Sequence, residues 1–105
     1  MDKKRLDELI EEATVDCYDE DEAFWGFLAM LEDALNCPFE ASIIGERVKV
    51  RGVDSKKSYP RSGIMASVER NGRSYTISLD SLKDIQADAE TVEWLAAYRR
   101  WAGLG

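Results

Sequence analysis

The chain contains no histidine, only two cysteines and only two prolines in 105 residues. The missing histidine removes the commonest general base and the commonest nitrogen ligand for metal ions. Cys17 and Cys37 stand far apart in the sequence, so they form neither a CxxC motif nor a zinc tetrad, and we expect two reduced, partly buried thiols. No glycine pattern indicates a phosphate loop. The sequence therefore predicts a protein that is not an enzyme.

Long apolar runs are also missing. No segment approaches the ~20 uninterrupted apolar residues of a membrane span. The charged start of the chain has no apolar region typical of a secretory signal. We therefore expect a soluble, cytoplasmic protein that does not bind membranes. Because 45% of the residues are hydrophobic, the chain can bury one core, and a single domain over residues 1–105 is predicted.

The net charge of -7 is spread unevenly along the chain. Residues 1–40 carry thirteen acidic and three basic side chains, whereas residues 41–87 carry five acidic and nine basic side chains. A negative field of this kind repels nucleic acid and attracts cations or a basic protein face. We therefore expect no nucleic-acid partner, and we expect either cations or a basic protein partner.

Hydrophobic spacing predicts helices at both ends of the chain. Residues 3–14 and residues 20–36 each place their apolar side chains on one helical face. Asp19 is predicted to cap the second helix, with Glu22 completing a pair that resembles a capping box. A last helix is predicted to start at Asp88 or Thr91 and to end near Gly103, and the tryptophans and Tyr98 are expected in the core.

The middle of the chain changes from helical spacing to alternation. Apolar residues alternate with polar ones at 39–43, 48–53, 64–68 and 75–79, and Asn71-Gly72 is a strong hairpin signal. The predicted fold is therefore α+β. It comprises two N-terminal helices, a small curled antiparallel sheet or partly open barrel of about four strands, and a C-terminal helix.

The most distinctive segment connects the first two predicted helices. It places five carboxylates within seven residues, namely Asp16, Asp19, Glu20, Asp21 and Glu22. Such carboxylates repel one another unless a cation or solvent screens them. Calcium suits such a segment because it takes 6–8 oxygen ligands in flexible geometry. The alternative is a solvated, capped helix start whose acids favour the positive end of the helix dipole.

This segment does not fit an EF-hand. A loop counted from Asp19 would place Ala23, Phe24 and Met30 where a ligand, a glycine and a glutamate are required, and a loop counted from Asp16 places Tyr18 at a ligand position. Any calcium site here is therefore of another kind.

A second acidic pair, Glu32 and Asp33, lies further along the second predicted helix. It is either exposed helix surface or a set of distal metal ligands. Glu22 and Asp33 are about three turns apart, which is too far for one ion. The surface interpretation is therefore favoured unless the sheet supplies further ligands.

Several stretches together resemble a known family. They are Val15–Glu22, Gly26-Phe27, Glu32-Asp33, Cys37–Phe39 with Gly45, and the closing Trp94–Trp101. Combined in this order they resemble the small acidic bacterial calcium-binding proteins of the CcbP family, over nearly the whole chain. The resemblance implies Ca²⁺ binding at acidic sites on a compact α+β domain, with a role in buffering or signalling.

Two functional hypotheses follow. The first is a calcium buffer or sensor, with the metal ligands drawn from Asp16, Asp19, Glu20, Asp21, Glu22, Glu32 and Asp33. The second is a protein-interaction module whose acidic face docks on a basic partner. Carboxylate clusters serve both functions, so the sequence leaves both open.

Overall fold

A computed structural model describes residues 2–103 in two units. The helical unit comprises residues 2–35 and 89–103, and the strand unit comprises residues 36–88. The helices are α1 (Lys3–Ala13), α2 (Glu20–Ala34) and α3 (Ala89–Trp101). The strands are β1 (Phe39–Ile43), β2 (Glu46–Val53), β3 (Met65–Arg70), β4 (Arg73–Ser78) and β5 (Lys83–Gln86).

The helices begin and pack as their sequences dictate. Asp2 caps α1 by accepting a hydrogen bond from the backbone N–H of Lys4 at 3.0 Å. In α2, Phe27 is completely buried. Its ring stacks on Trp101 of α3 with centroids 5.0 Å apart and meets Tyr98 edge-on at 6.0 Å. This aromatic cluster joins α2 to α3 and forms the centre of the helical unit.

The strand unit is an antiparallel sheet with the strand order β4-β3-β2-β1-β5. Alternation sends one set of side chains to the buried face, where Phe39, Val50 and Val68 are neighbours across three strands. On the other face of the sheet, Lys49 of β2 lies between its cross-strand neighbours Glu40 of β1 and Glu69 of β3. The polar segment after β2 is ordered because Ser58 Oγ, completely buried, donates to the Asp54 carbonyl oxygen and accepts from the Met65 N–H.

Two features of the predicted sheet require correction. The sheet has five strands instead of about four, because the short segment Lys83–Gln86 pairs with β1. This strand contains one apolar residue, Ile85, and an irregular register, so alternation does not reveal it. The sheet is also open: β4 and β5 are its two edges within residues 36–88. A partly open barrel is therefore wrong for this chain.

The predicted helices are confirmed with small changes at their ends. Helix α2 ends two residues early because Leu35 has an extended backbone and the side-chain amide of Asn36 donates to the Asp88 carboxylate. Helix α3 begins directly after Asp88, and Thr91 lies buried inside it. Trp25 was predicted to lie in the core but is 43% exposed. Cys37 was predicted to be partly buried but is an exposed free thiol.

An ion pair between α1 and α3 predicts a pH dependence of stability. Arg100 Nε donates to Asp7 Oδ1 at 2.8 Å, and this hydrogen bond lowers the pKa of Asp7 below its ordinary value of 3.8. A lowered pKa in the folded state adds stability above the unfolded pKa, and the contribution is lost as the pH falls through the folded pKa. We expect Asp7→Asn to lower the urea midpoint at pH 7, and we expect this deficit to shrink as the pH is lowered below 3.8.

The matched control for this experiment is Glu11→Gln, because Glu11 is exposed on the same helix and forms no ion pair within residues 2–103. The control should lose no stability at pH 7, because an acid at the C-terminal end of a helix is not stabilising. An Asp7→Asn deficit that is equally large at pH 3 would contradict the linkage to Arg100.

We also predict that the whole chain unfolds in one cooperative transition. Each unit contains about half of the chain, and segments of ~50 residues bury little surface alone. Tryptophan fluorescence reports only the helical unit, which contains Trp25, Trp94 and Trp101, whereas the methyl NMR signals of Val50 and Val68 report the strand unit. Coincident midpoints are expected, and two resolved transitions in one buffer would contradict the single domain.

None of the helices within residues 2–103 combines the length and the apolar character needed to cross a bilayer.

Candidate metal centre

The acidic connection, residues 14–19, joins α1 to α2 and leads into the acidic first turn of α2. It turns sharply at Asp16, whose φ of 62° lies in the left-handed region. Aspartate tolerates this conformation better than most residues. The Cys17 N–H donates to the Thr14 carbonyl oxygen at 3.1 Å, which closes the turn. The connection is therefore a tight turn, too short to wrap a twelve-residue calcium loop.

Two carboxylates of the predicted site cap α2. Asp19 Oδ1 accepts from the Glu22 N–H at 2.8 Å, and Glu22 Oε2 accepts from the Tyr18 N–H at 2.7 Å. The predicted capping pair is thus confirmed, with the glutamate reaching one residue before the cap. Each carboxylate uses one oxygen in the cap, so Asp19 Oδ2 and Glu22 Oε1 have no hydrogen-bond partner among residues 2–103.

The connection is supported by close contact between α1 and α2. A Cβ added at Gly26 would lie 2.6 Å from the Ala13 carbonyl oxygen and 3.2 Å from Cys17 Sγ. The Cys17 thiol in turn donates to the Glu22 carbonyl oxygen at 3.4 Å. Only glycine allows this approach, so Gly26 positions the acidic connection although it is not acidic itself. The sequence signal for this role was a glycine within a helical pattern.

All the carboxylates of the segment face solvent. Asp16, Asp19, Glu20, Asp21 and Glu22 are each exposed. In the part of the chain that the structure describes, every ion pair lies elsewhere, so no basic side chain neutralises this segment. The resulting charge is open to a cation or to a basic partner.

Further negative charge adjoins the connection and was not singled out from the sequence. Glu11 and Glu12 lie exposed in the last turn of α1, which contains no basic residue. The C-terminal end of a helix carries a partial negative charge, so acids there are unfavourable unless a cation is near. Their place at the end of a predicted helix was the available signal.

The side chains of the acidic connection do not form a preformed metal site. Among residues 2–103, no three acidic or cysteine side chains converge closely enough to hold a metal ion. The donor chemistry fits calcium, since carboxylate and carbonyl oxygens are its ligands. In this structure, however, the carboxylates are too far apart to bind one ion together. A cation bound here would require these carboxylates to move closer together.

The second acidic pair is separate from this segment. Glu32 and Asp33 are exposed in the last turn of α2, which also lacks a basic residue. Helix α2 is continuous from Glu20 to Ala34, and Glu22 and Asp33, eleven positions apart, are separated by ~16 Å along the helix at 1.5 Å per residue. The two acidic groups therefore cannot share one ion.

Known structures share this fold. A structure described as the crystal structure of Anabaena CcbP matches with a TM-score of 0.81 and 24% identity over 97% of this chain and 91% of that one. A structure described as a calcium-binding protein in the calcium-binding form matches with a TM-score of 0.77 and 25% identity, over 99% of this chain and 93% of the other. No curated protein matches the sequence significantly.

The sequence profile of one family covers almost the whole chain. It matches residues 7–102 and is described as calcium binding, of the CcbP type. This range contains both acidic groups, all three helices except the first turn of α1, and the five strands. The chain therefore belongs to the CcbP family of calcium-binding proteins.

Proposed function

We propose that this protein binds Ca²⁺ as a buffer or sensor, without catalysis, through the acidic connection and the first turn of α2. The ligands would come from Asp16, Asp19, Glu20, Asp21 and Glu22, together with backbone carbonyl oxygens. The observation that carries the proposal is the exposure of these carboxylates without an ion-pair partner within residues 2–103. Such a group is costly for folding and favourable for a divalent cation.

The cap of α2 is compatible with calcium binding. Asp19 and Glu22 each engage one carboxylate oxygen in the cap and leave the other unengaged among the described residues. A cation could therefore bind the second oxygens while helix α2 keeps its start. The residues that must move are those of the connection, such as Asp16, because they lie outside both helices.

The helix termini add to the attraction. The connection follows the negative C-terminal end of α1 and its exposed residues Glu11 and Glu12. A cation there would offset the repulsion among these groups. The similarity to a protein described in a calcium-binding form agrees with a calcium site on this fold.

The experiment is calorimetric titration of a variant in which Asp16, Asp19 and Asp21 are all replaced by asparagine. Asparagine tolerates the left-handed backbone at Asp16 and caps helices as well as aspartate, so the fold should survive. We expect the parent to bind calcium with a Kd of roughly 10⁻⁶–10⁻³ M and the variant to lose most of this binding.

A matched control removes the same charge elsewhere. It combines Asp2→Asn, which preserves the cap of α1, with Glu40→Gln and Glu90→Gln, both at exposed positions. The control should bind calcium nearly as well as the parent. If the Asp16, Asp19 and Asp21 variant binds like the control, the calcium site lies elsewhere.

One observation favours a second candidate function. Trp25 is 43% exposed on α2 and lies one turn from Asp21 and Glu22, with Glu32 two turns further along the same side. A tryptophan among carboxylates suits an arginine or lysine of a basic partner, through charge attraction and cation–π contact. The acidic face would then be a docking surface.

A further inference from the structure

Ile44 occupies a position in the strand unit that folding does not explain. It lies in the two-residue turn between β1 and β2, is 95% exposed, and has a φ of 48°. A β-branched residue rarely adopts this left-handed conformation. The side chain therefore combines backbone strain with nearly complete loss of apolar burial.

The same molecule contains the turn that folding favours. Asn71-Gly72 joins β3 to β4 with φ values of 53° and 76°, and Ile44-Gly45 joins β1 to β2 with φ values of 48° and 77°. Positive φ at both central residues is typical of the type I′ turn, for which Asn-Gly is the preferred sequence. Isoleucine thus occupies a position where asparagine would make the turn more stable. We take this as a sign that Ile44 contacts another molecule.

Both turns lie at the same end of the sheet. The ion pair between Glu46 and Arg70 bridges the two hairpins, and Lys83 at the start of β5 lies opposite Ser42, near the first turn. We call this surface the hairpin end. Its residues are Ile44, Glu46, Arg47, Arg70, Arg73, Lys83 and Asp84.

The hairpin end is basic around its exposed isoleucine. The Arg47 guanidinium lies on this surface and donates hydrogen bonds to Ser42 Oγ at 2.9 Å and to the Asp84 carbonyl oxygen at 3.2 Å. Arg47, Arg73 and Lys83 are exposed and form no ion pair within residues 2–103. Its occupant should therefore be acidic and should offer apolar contact.

The acidic connection has these two properties. Its carboxylates have no ion-pair partner among the described residues. Beside them, Val15 is 67% exposed and Tyr18 is 90% exposed. We propose that the hairpin end of one molecule binds the acidic connection of a second copy, with Ile44 against Val15 and Tyr18. The interface joins two different surfaces and is therefore heterologous. It is weak, because it is small and the two molecules carry like net charge.

Sedimentation equilibrium in EDTA, at millimolar and micromolar protein, tests the proposal on the calcium-free protein, so its outcome does not depend on whether the acidic connection binds calcium. The parent should show an average mass that rises with concentration. Ile44→Asn should remain monomeric and should melt a few degrees higher, because the turn sequence improves. The variant with Asp16, Asp19 and Asp21 replaced by asparagine should also remain monomeric, whereas the Asp2, Glu40 and Glu90 control should associate like the parent.

Mixing provides the decisive comparison. In an equimolar mixture of the two variants, Ile44→Asn supplies an intact acidic connection, and the Asp16, Asp19 and Asp21 variant supplies an intact hairpin end. The mixture should therefore form dimers that contain one molecule of each variant. A parent that stays monomeric at millimolar concentration, or a mixture that does not associate, overturns the proposal. Binding of the monomeric parent, but not of Ile44→Asn, to phosphatidylserine vesicles would assign the hairpin end to a lipid surface and overturn it as well.

Discussion

Calcium is expected to raise the melting temperature of this protein by roughly 10 °C or more at a hundredfold excess over its Kd. A ligand that binds only the folded state stabilises it by RT ln(1 + [L]/Kd), which is about 2.7 kcal/mol at that excess. For a domain of this size, each kcal/mol corresponds to about 4–8 °C. Calorimetric melts in CaCl₂ at a hundredfold excess over the titrated Kd, in equimolar MgCl₂ and in ionic-strength-matched NaCl measure the effect.

The three salts separate the two candidate functions. Sodium only screens the repulsion among the carboxylates, and magnesium keeps its waters and demands octahedral geometry. The increase in melting temperature should therefore be clearly larger in calcium than in sodium, and at least somewhat larger in calcium than in magnesium. Equal shifts in all three salts would contradict specific calcium binding and would leave the acidic face as a docking surface.

Replacing Gly26 by alanine is expected to destabilise the protein by about 1–3 kcal/mol. The new Cβ would lie 2.6 Å from the Ala13 carbonyl oxygen, which is backbone and cannot move without shifting α1. Forcing extra volume into a close-packed contact has a cost of this size. Urea unfolding monitored by far-UV circular dichroism measures it.

The sign of this effect is diagnostic. Glycine to alanine in a helix ordinarily stabilises by up to ~1 kcal/mol, so a loss of stability reports the contact with α1 and not helix propensity. The reverse substitution at an exposed position of the same helix, Ala29→Gly, is the control and should cost only about 1 kcal/mol. A Gly26→Ala variant as stable as the parent would contradict the close approach.

The helices and most strands were predictable because their signals are local. Asp19 and Glu22 cap α2 as their spacing indicates, and Asn71-Gly72 forms the hairpin turn. Strand β5 was not predictable, since a four-residue strand with only Ile85 apolar has no alternation to detect. It forms because β1 offers it an edge to pair with, which is a non-local cause.

The candidate site was predictable in composition but not in geometry. The sequence places the carboxylates from Asp16 to Glu22 in a short connection, and the structure finds them exposed there. What the sequence did not indicate is the close contact of Gly26 with Ala13, because it depends on how α1 and α2 pack. Exposure of Trp25 was missed for the same reason: an apolar residue near a helical stripe is expected to be buried.

The most direct test of calcium binding at the acidic connection is a backbone amide NMR titration of the ¹⁵N-labelled protein with CaCl₂ in a background of excess MgCl₂. Saturable shifts are expected at residues 14–22, largest around Asp16 and Asp19, with smaller ones at Glu11 and Glu12. Shifts confined to residues 36–88, or no saturable shift in the presence of magnesium, would contradict the account.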